Sequence, residues 1–188
     1  KEKFGTKVYR LALTTGATCP NRDGKVGVGG CSFCSDKGSG EFAVSSEDIK
    51  EQIEKAKILI SAKIPGSIKE GDRKYIAYFQ SFSNTYGDTK RLLGLFEQAI
   101  KRDEIVALSI ATRPDCFSKE MFEGLESLNK IKPVWIELGL QTVNEDSAKA
   151  FNRGYTLDIF EKTYDELKKR NFEVIVHMTC DTLYLLFF

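Results

Sequence analysis

Several features that would classify a protein at once are missing here. Net charge is nearly absent, with 28 Lys and Arg against 27 Asp and Glu for a formal +1. That balance excludes a histone-like or tail-like nucleic-acid binder, while a local basic patch stays allowed. No apolar run approaches the ~18 residues of a membrane span, and mean hydropathy is −0.29. Residues 1–20 lack the charged-then-apolar layout of an export signal, so a cytoplasmic location is expected. There is one histidine, His177, and the five cysteines make an odd count. A disulfide framework is therefore not expected, and metal binding or redox chemistry is.

What is present is 188 residues, 41% of them apolar, enough for one domain with a buried core. Short apolar runs alternate with amphipathic segments. Strands are expected at Val8–Leu13, Tyr75–Phe79, Ile105–Ile110, Val134–Leu140 and Phe172–Val176. Between them, Ile49, Ile53, Ala56 and Ile60 recur at helical spacing behind Ser45 and Asp48, which are placed as a capping box. A second helix starts near Asp88 with Leu92, Phe96 and Ala99 on one face, and a third follows a Ser118 cap. A fourth carries Leu157, Phe160, Tyr164 and Leu167. This β-α repetition predicts an α/β fold with a parallel sheet, either doubly wound or a partial (β/α) barrel. In both, ligands sit beyond the carboxyl ends of the strands. The expected domain is residues 1–178, followed by an atypical apolar tail, 179–188; the barrel reads as truncated after about the fifth strand.

The first strand leads into a loop holding Cys19, Cys31 and Cys34, spaced Cys-x11-Cys-x2-Cys. Seven of the chain's 15 glycines lie between Gly16 and Gly40, so the loop needs unusual backbone angles and close approach to something. Three converging thiolates repel one another unless a cation lies between them. A structural zinc site closes with four ligands, and Cys116, Cys180 or His177 are the available fourth. A [4Fe–4S] cluster held by three cysteines keeps one iron open for an external ligand. The spacing leaves both readings standing.

The three-cysteine loop after a first strand, with Phe33 just before the last cysteine, resembles the radical S-adenosylmethionine (SAM) enzymes. The x11 insertion is similar to an uncharacterised bacterial branch related to the elongator catalytic subunit family. So are Gly16-Ala17-Thr18-Cys19-Pro20-Asn21-Arg22-Asp23-Gly24, Tyr78 to Tyr86, Thr112-Arg113-Pro114-Asp115 and Glu137 to Thr142. The resemblance implies a partial barrel and a [4Fe–4S] cluster on Cys19, Cys31 and Cys34. It implies SAM as cosubstrate, a reducing electron donor, and hydrogen abstraction from a substrate by a 5′-deoxyadenosyl radical. Kinship with the elongator family implies tRNA wobble-uridine modification.

Site residues follow from the strand ends. After the second strand, Gln80, Ser83 and Asn84 stand where many relatives hold the methionine amino group of SAM. After the third, Pro114 forces Arg113 into extended geometry beside Asp115, as a structural pair or to orient SAM or substrate. On the fourth, Glu137, Gly139 and Gln141 alternate with apolar residues and share one face. A carboxylate there needs a partner, and the resemblance assigns Glu137 and Gln141 to SAM. Arg153 is similar to a family arginine that pairs with the SAM carboxylate. Cys116 reads as a small buried apolar group and His177 as structural.

Overall fold

The structure is a computed structural model describing residues 3–36, 38, 43, 46 and 48–179. Five strands, β1 (Val8–Leu13), β2 (Lys74–Phe79), β3 (Ile105–Thr112), β4 (Val134–Gln141) and β5 (Glu173–Met178), form one sheet. Every adjacent pair is parallel, in the order β1-β2-β3-β4-β5. Five helices connect them: α1 (Ile49–Ile60), α2 (Thr89–Ile100), α3 (Lys119–Asn129), α4 (Glu145–Ala150) and α5 (Leu157–Lys169).

The strand order decides between the two architectures that the β-α pattern allowed. A doubly wound sheet reverses its order at a switch point. Here each strand pairs with its successor, so right-handed crossovers keep the helices on one face and leave the other as an inner face. This is the singly wound arrangement of a partial barrel.

Alternation along the strands sorts the side chains. Leu11, Leu13, Ala77, Phe79, Leu108, Ile110, Ile136 and Leu138 join Ile53, Leu92, Phe96, Met121, Leu125 and Leu167 in one core. Phe79 and Phe96 meet edge to face at 4.9 Å between centroids. The other face carries polar side chains from every strand, among them Arg10, Tyr78, Ser109, Glu137 and His177. Helix starts follow the expected caps, with Asp48 accepting from Lys50 N, Asp88 from Arg91 N and Ser118 from Met121 N. Ser45 of the expected capping box lies outside the described residues, as do Cys180 and the tail beyond it. The unexpected element is α4, whose six residues are too few to display a helical period. Among the described residues no helix is long and apolar enough to cross a membrane.

An ionic network ties the opposite, amino-terminal end of the sheet. Glu104 accepts from Lys57 Nζ at 2.7 Å and Arg102 Nε at 2.9 Å, and Arg102 also pairs with Glu54. Burial alone would raise the Glu104 carboxyl, but these two cations outweigh it and draw it down to about 2. A depressed carboxyl stabilises the fold above its ordinary value and loses that contribution as pH falls. Glu104→Gln is therefore expected to cost about 1 kcal/mol near neutrality, since solvent screens this partly exposed network. The difference from the parent should vanish between about pH 4.5 and about pH 2 in denaturant titrations.

Candidate functional site

The segment leaving β1 folds back on itself as a compact loop. Arg22 N and Asp23 N donate to Cys19 O at 2.9 and 3.2 Å, and a bridge pairs Asp23 with Val28. Cys34 N donates to Cys31 O at 2.9 Å, so the x2 spacing closes one tight turn between two cysteines. The Arg22 guanidinium then donates to Ser35 O at 2.6 Å and Cys34 O at 3.1 Å. Gly30, at φ +80°, lies against that arginine: a Cβ there would stand 2.8 Å from Arg22 Nε. The glycine-rich composition thus lets the loop wrap closely round its own arginine.

Cys19, Cys31 and Cys34, all half-buried, line one cavity of about 180 Å³ at the carboxyl ends of the strands. Gln80, Ser83, Arg113, Glu137 and Gln141 line the same cavity, together with Tyr78, Phe82, Tyr155 and His177. Burial pushes the Cys31 thiol up, while a hydrogen bond from Asn21 and the charge of Arg113 pull the other way. Two wall residues are held in left-handed backbone, Phe82 at φ +57° and Gln141 at φ +68°. Conformations of this kind cost on the order of 1–3 kcal/mol and collect at functional sites. The Gln141 turn coincides with a register shift between β4 and β5.

Glu137 is the hub of the inner face. Its side chain is 1% exposed and accepts from Ser109 Oγ, pairs with His177 Nε2 at 2.7 Å and lies 3.3 Å from Arg10. Burial raises its carboxyl, but His177, Ser109 and Arg10 together outweigh burial and leave it below the ordinary value. Tyr78 is pushed up to about 12, by burial first and then by the Glu137 charge. The buried carboxylate expected to need a ligand partner therefore has protein partners from three other strands.

The remaining predicted residues divide by placement. Ser83 lines the cavity with its hydroxyl buried beside Cys116 but in no hydrogen bond of normal geometry. Arg113 faces the cavity while forking onto Asp115 at 2.9 and 2.7 Å and donating to Arg153 O. Asn84 sits behind the wall, joining strand ends through Thr15 Oγ1, Phe79 O and Ala111 O at 2.9–3.0 Å. Arg153 is also behind it, 1% exposed, with its guanidinium donating to Tyr155 O, Leu140 O, Thr142 O and Glu145. Cys116 is buried, as expected, and burial pushes its thiol well up. Tyr78 and Tyr155 were not singled out from sequence. Tyr78 shares the Ile76 and Gln80 side of β2, which alternation alone could have revealed.

The sequence matches the radical SAM superfamily over residues 14–187. The chain belongs to that superfamily. It is 41% identical over 179 residues to the uncharacterised protein YtqA of Bacillus subtilis and 32% identical over 177 residues to YhcC of Escherichia coli K12. These alignments take in 95% and 94% of the chain but 54% of each relative, so the chain spans about half the length of the curated relatives it matches. The fold is that of an archaeal Elp3 from Methanocaldococcus infernus, with a TM-score of 0.57 at 18% identity. That likeness covers 91% of this chain and 37% of the Elp3 chain. The radical SAM superfamily is thus the setting of the cysteine loop, and the likeness to Elp3 is one of fold.

In this superfamily member Arg153 is a structural cation. Arg153→Met would remove the guanidinium that donates to the carbonyls of Leu140, Thr142 and Tyr155 and would leave a cavity in its place. The expected loss is about 3–5 kcal/mol in denaturant unfolding. A variant as stable as the parent would contradict this placement.

Proposed function

We propose that the protein is a radical SAM enzyme whose Cys19, Cys31 and Cys34 hold a [4Fe–4S] cluster at the mouth of the cavity. The observation that carries this is the convergence of three thiols from one loop on a cavity at the carboxyl ends of parallel strands. The donor set fits the group: three cysteines leave one iron open. Ligands of a single tetrahedral zinc would stand within roughly 4 Å of one another. Among the described residues no three His, Cys, Asp or Glu side chains are grouped to hold one metal ion. Cysteines that each bind a different iron need no such closeness.

When bound, such a cluster supplies the electron that splits SAM into methionine and the 5′-deoxyadenosyl radical, which takes a hydrogen atom from substrate. The chain's own residues bind and orient. Gln80, Ser83 and Gln141 line the cavity and offer polar groups to SAM. Arg113 presents a guanidinium edge already oriented by Asp115. Glu137 acts at the floor, where it fixes His177 and Tyr78 towards the cavity. Asn84 and Arg153 act from behind the wall, the first by joining strand ends and the second by bracing the connection after β4. Phe33, Phe82 and Tyr155 add aromatic surface to the cavity walls.

The substrate we assign is a tRNA, modified at the wobble uridine, with a reducing electron donor. Support comes from the kinship with Elp3, and the balance of seven Lys and Arg against four Asp and Glu in residues 1–44 permits contact with RNA without arguing for it. Cation and aromatic side chains also meet beside the cysteine loop, Arg22 over Phe82 at 5.4 Å and Lys25 over Tyr86 at 5.3 Å.

Anaerobically reconstituted protein is expected to hold about four irons and four sulfides per chain. The electron paramagnetic resonance spectrum of its reduced form should shift when SAM is added. Cys31→Ala should lose the iron. Zinc without iron, or a full iron complement in Cys31→Ala, would overturn the assignment. Filter binding of tRNA over a salt series tests the substrate class separately. Affinity should fall linearly in log–log form with salt, and absence of any salt-dependent affinity removes tRNA.

A further inference from the structure

Asn21 is fully buried inside the cysteine loop, and its side chain does two things at once. Its Nδ2 donates to Cys31 Sγ at 3.5 Å and to the backbone carbonyl of Asn152 at 2.5 Å. Asn152 answers with its own amide, donating to Gly30 O at 2.9 Å. Each asparagine thus caps the backbone of the other's segment. Ser32 N donates to Phe151 O at 3.1 Å, and Phe33 meets Phe151 edge to face at 5.3 Å, extending the same seam.

The backbone around this clasp is shaped to admit it. Asn152 is left-handed at φ +57°, a region asparagine tolerates better than most residues. A Cβ on Gly27 would lie 2.4 Å from Asn21 Oδ1, and one on Gly154, itself at φ +78°, would lie 3.0 Å from it. Two glycines therefore make room for one amide, and that amide points its N–H at a cysteine sulfur. A donor to a ligating sulfur draws off negative charge and favours the reduced state of an iron–sulfur cluster.

We infer that Asn21 is a positioning residue for the cluster site, holding Cys31 in ligating position through the clasp with Asn152 and raising the cluster's reduction potential through its N–H···S hydrogen bond. This rests on the cluster assignment to Cys19, Cys31 and Cys34 above.

The test is a redox titration, followed by electron paramagnetic resonance, of the reconstituted parent, Asn21→Ala and Asn21→Asp. Asparagine to aspartate keeps size while replacing the donor by an acceptor. Both variants should be harder to reduce, with the ratio of reduced to oxidised cluster at a fixed potential falling about tenfold, or ~59 mV for one electron. Loss of iron from a variant whose metal-free form melts like the parent also supports the inference, because ligation then depends on Asn21. Unchanged potential with unchanged iron content in both variants overturns it and leaves the cluster assignment intact. A parent that binds no iron overturns the assignment itself. Should neither variant fold, Asn152→Gly carries the test, since glycine keeps the left-handed backbone and removes the bond to Gly30. Faster amide exchange across residues 20–31 is then expected, and unchanged exchange overturns the clasp.

Discussion

A single buried cation holds the carboxyl end of this sheet together. The Arg153 guanidinium reaches the last carbonyls of β4, the start of α5 and Glu145 in α4, and nothing of it reaches solvent. A charge buried this deeply persists only when its donors are satisfied, so the connection it braces has little freedom. The Phe151–Gly154 segment is where the cysteine loop docks. Arg113 adds to this by donating to Arg153 O while facing the cavity with its other edge. The segment on which the cysteine loop rests through Asn21 and Asn152 is thus braced by Arg153 and Arg113.

The inner face follows a different logic from the core. On the helix-facing side the strands carry aliphatic and aromatic residues, because the helices cover that face. On the inner side every strand contributes polar groups, and Glu137 links Arg10 of β1, Ser109 of β3 and His177 of β5 directly. The result is a floor whose charges are already neutralised, beneath a wall that still has unsatisfied atoms at Ser83. Strain is placed at the same level, in Phe82 and Gln141, where the chain turns side chains inward at an energetic cost met by the surrounding packing.

Much of this could be read in the sequence. Leu11 and Leu13, or Ile136 and Leu138, announce their faces by alternation, and Asp88 and Ser118 announce helix starts by their side-chain acceptors. The cysteine spacing singled out the loop, and Pro114 fixed the extended backbone of Arg113, which has φ −89° and ψ 149°. Helix α4 gave no signal because it is shorter than two turns. Asn84 and Arg153 looked like ligand contacts because amides and guanidinium groups suit both a ligand and a backbone carbonyl. Only their distances to Phe79 O and Ala111 O, or to Leu140 O and Thr142 O, distinguish the two uses.

The amino-acid sequence by itself determined the element order, the apolar face of each element and the grouping of three cysteines in one loop, since all three depend on local period and residue type. Strand order, and with it the choice of a singly wound sheet, was decided only in three dimensions, because pairing between segments leaves no local mark. So was the division of polar residues between wall, floor and hidden brace. Asn21 and Asn152 are 131 positions apart. Nothing short of the folded chain brings one amide within reach of both a distant carbonyl and a neighbouring sulfur.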